Sequence, residues 1–191
     1  MRTLTKNKTL LTTDIIEQCK RNDRKAQLQL YNKYCDGMYH VAFRFLKNTY
    51  EAEEAMHEGF INAFAKLHQF TGDVTFGAWL KRIVINKSLD MIKAKKATLV
   101  PLNEEVIGKV DEDTEDWNVG DEVTVDNVKK AIADLPEKYR YPLMLFLIEG
   151  YDHQEISEIL NITEVASRTM VHRGKKKLQE QLKKENYGTG S

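Results

Sequence analysis

The segment from Gly150 to Leu178 constrains the fold more than any other part of this chain: it reads as a short helix, a tight turn and a second, strongly basic helix. Ile156, Ile159 and Leu160 give the first helix an apolar stripe at i, i+3, i+4 spacing. Asn161 tolerates a turn, Ile162 plugs it, and Thr163 is placed to cap the helix that follows. In that second helix Ser167, Val171, Gly174 and Leu178 fall on one face at i, i+4, i+7, i+11 spacing, while Ala166, Arg168, Thr169, His172, Arg173 and Lys176 fall mainly on the other. A helix held by one face, with small polar and cationic residues on its free face, suits the major groove of DNA. Base reading belongs to the helix start, at Val165, Ala166, Arg168 and Thr169. Lys175, Lys176 and Lys177 suit phosphates, which steepen salt dependence without conferring sequence choice. A merely solvated helix can also be rich in lysine; here the cations are concentrated behind a helix-turn-helix pattern.

The remaining sequence is helical in pattern, with one interruption. From about Thr12 to Lys96, Ala26, Leu28, Leu30, Tyr31 and Tyr34 open a helix that Met38, Val41, Ala42, Phe45 and Leu46 continue. Ala52, Ala55, Met56, Gly59, Phe60, Ala63, Phe64 and Leu67 form a buried stripe on the next. Thr71 to Thr75 reads as a loop, and Phe76 to Ala94 as a helix with Trp79, Leu80, Ile83, Val84, Leu89 and Ile92 on its apolar side. After the interruption, helices are expected over Asp126–Ala133, Tyr139–Glu149, Asp152–Leu160 and Glu164 to about Lys184, followed by a polar tail. No strand pattern and no repeat is present.

The interruption carries the charge information. The chain holds 29 basic and 29 acidic side chains, but ten acids and one base, Lys109, lie between Ala97 and Asp126. That stretch has a net charge of −9 and the remainder +9. Two basic helical modules joined by an acidic, extended or disordered linker are therefore expected, with domains over 10–96 and 125–187 and the linker over 97–124. The helix from Phe76 adds Lys81, Arg82, Lys87, Lys93, Lys95 and Lys96 against Asp90 alone, with Phe70, Phe76 and Trp79 at its start. Cations beside aromatics suit single-stranded nucleic acid, although Phe76 and Trp79 also have the spacing of core residues.

Several function classes have no support. The five histidines are scattered, and His153 with the glutamates after it lacks the spacing of a metalloprotease helix. Neither a phosphate-cradling glycine loop nor a serine nucleophile elbow occurs. No catalysis, metal or cofactor is expected. Cys19 and Cys35, 16 apart and outside any CxxC, are most simply free thiols in a reducing compartment, with a disulfide as the alternative. No apolar run approaches a membrane span, and the first residues do not lead into a signal-peptide core, so a cytoplasmic protein without membrane insertion is expected.

Two motifs in the right order resemble the extracytoplasmic-function (ECF) subgroup of the sigma-70 family of RNA polymerase sigma factors, over roughly Ala26 to Leu182. Tyr50-Glu-Ala-Glu-Glu-Ala-Met-His-Glu-Gly-Phe-Ile-Asn-Ala-Phe64 is similar to the family's D-A-E-D-x-x-Q-E-x-F-x-x-A-W. Thr75-Phe-Gly-Ala-Trp-Leu-Lys-Arg-Ile-Val-Ile-Asn-Lys-Ser-Leu-Asp90 is similar to its S-F-x-x-W-L-x-x-I-A-x-N-x-x-x-D. Leu135-Pro-Glu-Lys-Tyr-Arg140 and Gly150 to Leu160 resemble the start of its −35-reading module. The resemblance implies an all-α fold of two small helical domains that binds core RNA polymerase, through the β′ clamp helices and the β flap, and promoter DNA. By position, Glu54, His57 and Glu58 would lie on the clamp-binding face. Gln69, Phe70, Phe76, Lys81, Arg82, Asn86 and Lys87 would serve the −10 element, with a flipped base held by the loop from Gln69 to Thr75. Ala166, Arg168, Thr169, His172, Arg173 and Lys176 would serve the −35 element. An anti-sigma partner is implied as well. The chain departs from the pattern at His57 (usually Gln), at Met170 (usually Arg) and at Ser167 (usually an apolar core residue). The alternative from the residues alone is a stand-alone helix-turn-helix regulator, which would not need the Glu53–Phe64 helix to meet a polymerase.

Overall fold

The structure is a computed structural model that describes residues 13–97 and 123–188. The expected linker and polar tail fall almost wholly outside these residues. All regular structure among the described residues is helical. The chain divides into two units, Met1–Leu102 and Asn103–Ser191.

The first unit holds α1 (13–20), α2 (Arg24–Leu46), α3 (Thr49–Ala65), a 3-10 turn (Leu67–Gln69) and α4 (Phe76–Ala97). Side chains set the helix starts. The Asp23 carboxylate accepts from the backbone N–H groups of Lys25 and Ala26 at 2.8 and 3.1 Å, and Asn48 Oδ1 accepts from Glu51 N–H at 3.1 Å. α2, α3 and α4 pack against one another in all three pairings. Their shared core is Leu30, Ala42 and Phe45 from α2, Ala52, Ala55, Met56 and Phe60 from α3, and Leu80, Val84, Ile85 and Leu89 from α4. The stripe expected on α3 is buried apart from Phe64, which is partly exposed. Leu28 departs from the expected set and stands out in solvent. Gly59 lets α3 approach α4 closely: a Cβ there would meet Val84 Cγ2 at 2.6 Å.

The second unit holds α5 (Val125–Asp134), α6 (Glu137–Leu147), α7 (His153–Leu160) and α8 (Glu164–Gly188). Two reciprocal capping boxes, Thr124 with Asn127 and Asp152 with Glu155, start α5 and α7. The turn between α7 and α8 follows the expectation. Asn161 takes the left-handed conformation (φ 56°), Ile162 N–H donates to the Ser157 carbonyl at 3.0 Å, and Thr163 Oγ1 accepts from Ala166 N–H at 3.1 Å. α8 packs against α5, α6 and α7. Ile132, Leu143, Leu145, Ile156, Leu178 and Leu182 fill the core.

Candidate nucleic-acid interfaces

α8 is held by Ser167, Val171, Gly174, Leu178 and Leu182, all buried. Its exposed arc carries Val165, Arg168 and Lys176, with Ala166, His172 and Arg173 partly exposed beside it. Arg168 pairs with Glu164 one turn earlier. Lys175 and Lys177 lean their ammonium groups over the rings of Phe146 (4.8 Å) and Tyr139 (5.7 Å); Lys176 and Lys177 are exposed, and Lys175 is partly covered.

Thr169 is a correction. It was expected on the free face, but only 1% of it is exposed, and its hydroxyl donates to the Val165 carbonyl at 2.8 Å. A helix touched by three neighbours is buried over a wider arc than its main apolar stripe, so its free face is narrower than a helical wheel suggests. Ser167, the small residue in a core position, gains a partner: its Oγ lies 3.1 Å from His153 Nδ1 of α7. The imidazole stacks on Phe146 at 4.9 Å between centroids and 17° between planes. Burial holds the His153 pKa below the usual histidine value. Arg168 and Lys175 lower it further, against Glu164 and Asp152, which raise it.

In the first unit, α4 begins where Thr75 Oγ1 accepts from Ala78 N–H at 3.2 Å. Phe76 is the second correction. It is 2% exposed, with Tyr34, Phe70 and Trp79 rings 5.4, 5.8 and 5.8 Å away, and so serves the core rather than offering a face to a base. Phe70 and Trp79, 5.4 Å apart, are only partly covered. Gln69 and the loop 71–75 are exposed, with Gly72 at φ 89° and Thr71 donating to Asp73 at 2.6 Å. A cleft of about 650 Å³ opens beside this loop, lined among others by Glu17, Lys33, Tyr34, Phe70, Asp73 and Phe76. Along α4, Asn86 is exposed, while Lys81, Arg82 and Lys87 are partly covered.

On α3, Glu54 and His57 are exposed. His57 Nε2 lies 3.0 Å from the hydroxyl of Tyr31, and the two rings stack. Burial, and then the charges of Cys35, Asp36 and Glu53, raise the Tyr31 pKa, so its phenol stays protonated and able to donate. Glu58 forms a 3.1 Å ion pair with Lys87 of α4, which joins two residues that the sequence pattern assigns to different partners. Ile61, one turn beyond His57, is 66% exposed and went unnoticed in the sequence, because an apolar residue on a helix reads by default as core. Both cysteines are free; burial and the charge of Asp23 push the Cys19 thiol up to about 11.

Among the described residues no helix is long and apolar enough to cross a membrane, and no group of three metal-ligating side chains comes together. The family described as sigma-70 region 2 matches residues 30–98, and that described as sigma-70, region 4 matches residues 126–178. The ECF RNA polymerase sigma factor SigW of Bacillus subtilis (strain 168) is 32% identical over 183 residues, covering 88% of this chain and 95% of its own. Among solved structures, the sigma factor RpoE in complex with the anti-sigma factor NepR from Bartonella quintana aligns with a TM-score of 0.54 at 19% identity, covering 81% of this chain and 95% of that one. CnrH in complex with the cytosolic domain of CnrY aligns with a TM-score of 0.54 at 20% identity, over 88% and 95% of the two chains. With both family regions in order on two helical units and a relative this similar over nearly its whole length, the chain belongs to the ECF subgroup of the sigma-70 family and is an alternative sigma factor.

Proposed function

We propose that this sigma factor acts by binding alone: it docks on core RNA polymerase through α3, takes up the −10 element with α4 and its preceding loop, and reads the −35 element with α8. The domains doing this are 10–96 and 125–187, and the acidic stretch 97–124 tethers them. Tethering lets two individually weak grips act at a raised effective concentration. Glu54, His57 and Glu58 form the polymerase face. Gln69, Phe70, Lys81, Arg82, Asn86 and Lys87 form the −10 face, with the cleft beside the loop 71–75 receiving a base taken out of the stack. Ala166, Arg168, His172, Arg173 and Lys176 form the −35 face. The protein works in the cytoplasm, under an anti-sigma partner that covers these faces; RpoE of Bartonella quintana, solved with its anti-sigma factor NepR, has the same fold.

The observation that carries this reading is the exposed arc of α8, capped by Thr163 and bearing Arg168 at its start. The first test is fluorescence anisotropy of the labelled chain with bacterial core RNA polymerase. Saturable binding that a known sigma factor displaces is expected. Salt-sensitive duplex binding without polymerase binding would instead make this a stand-alone regulator. Arg168→Ala is expected to weaken −35 duplex binding by about 1–3 kcal/mol; an equal loss on scrambled duplex would reduce Arg168 to a phosphate contact.

A further inference from the structure

We infer that His153 is the positioning residue of the recognition helix: its hydrogen bond to Ser167 and its stack on Phe146 fix the rotation of α8 about its own axis, and so the angle at which Arg168 and His172 face DNA. The inference rests on the reading of α8 as the −35 helix and extends it to a residue outside that face.

Over its first three turns α8 presents little bulk to its neighbours. Its buried positions there are Ser167, Thr169, Val171 and Gly174, and a Cβ at Gly174 would make only ordinary contacts, 3.5 Å from Leu143 and Tyr139. Apolar contact is non-directional, so a valine and a threonine methyl among small residues restrain rotation less sharply than a directional bond. A hydrogen bond prefers a narrow range of angles. The Ser167 hydroxyl is fully buried, and His153 Nδ1 at 3.1 Å is its partner. His153 is in turn held flat against Phe146 of α6, and Lys175 of α8 sits 4.8 Å over that same ring. One imidazole thus joins α6, α7 and α8 at Ser167, between Ala166 and Arg168. Side chains that must meet a fixed target tolerate only about 10–20° of error.

The charged groups around the ring are Arg168, Glu164 and Lys175 on α8 and Asp152 at the start of α7. Burial and the two cations keep it neutral at neutral pH, so it adds no cation beside Arg168.

The test uses the full chain with core RNA polymerase. A duplex is enriched from a pool randomised at the −35 position, and binding to it and to a scrambled duplex is measured for the wild type and three variants. His153→Phe keeps a ring on Phe146 but strands the Ser167 hydroxyl. Its enriched-to-scrambled affinity ratio is expected to fall about tenfold, within the range of one lost base contact, with scrambled binding unchanged. His153→Gln, which can still bond Ser167, is expected to keep the ratio within about threefold, a loss below that of one base contact. In His153→Phe with Ser167→Ala no hydroxyl is stranded, so thermal stability should recover while the ratio stays low. Recovery of the ratio together with stability would show a merely structural role and overturn the inference, as would equal losses on both duplexes. If the wild-type chain binds polymerase but enriches no sequence, the −35 reading itself falls and this inference with it.

Discussion

Two glycines inside helices make opposite demands. Gly37 of α2 has nothing within 4 Å of where a Cβ would stand, so Gly37→Ala is expected to stabilise the fold by up to about 1 kcal/mol through helix propensity alone. Gly59 faces Val84 Cγ2 at 2.6 Å. Gly59→Ala gains the same propensity but incurs overpacking of about 1–3 kcal/mol, so a net loss is expected. Thermal unfolding of both variants checks the pair, and a stabilised Gly59→Ala would mean that α3 and α4 are less tightly apposed than described. His153 sets a pH dependence. Its folded pKa lies below its unfolded value, so the unfolded chain binds the extra proton first. Its contribution to stability is complete above about pH 6.5 and is lost as pH falls from there toward the lowered pKa. Urea unfolding of wild type and His153→Gln at both ends of that window is expected to show a shallower pH slope in the variant.

Between elements, the pair Glu58–Lys87 links α3 to α4 at 3.1 Å, with 47% and 29% of the two side chains exposed. An exposed pair contributes only about 0.2–1 kcal/mol to stability, so the fold does not depend on it. Glu58→Gln is therefore expected to leave the unfolding temperature nearly unchanged. It should weaken binding to core RNA polymerase by about 1.5–3 kcal/mol, the worth of a hydrogen bond to a charged group. Titration against polymerase beside a melting curve separates the two; unchanged affinity would remove Glu58 from the polymerase face. The same elements show what periodicity can miss. The stripe on α3 was legible because one neighbouring core fixes one face. Thr169 on α8 was not, because three helices surround it, and neither was the Glu58–Lys87 pair, whose members are 29 positions apart in sequence.

For the molecule as a whole, equal numbers of acids and bases hide a partition that matters for a polyanionic ligand. A uniform mixture of charges would give weak salt dependence, whereas basic units set apart from an acidic stretch should release counterions on binding DNA. Duplex affinity is expected to fall steeply between about 50 and 200 mM salt. Lys176→Gln should lower the log–log slope by about one while weakening all duplexes alike. A slope unchanged in that variant would place Lys176 off the phosphates.

The sequence by itself determined the long helices, the Asn161–Thr163 turn and the family. These depend on near neighbours along the chain: apolar residues three and four apart, a threonine at a helix start, an asparagine where the backbone turns left-handed. Tertiary structure decided which candidate side chains are core and which are paired with one another. Phe76 and Thr169 became core, Lys87 was drawn to Glu58, and Ser167 was joined to His153. The reason is that burial and pairing depend on what packs across a helix, and that partner comes from a distant part of the chain.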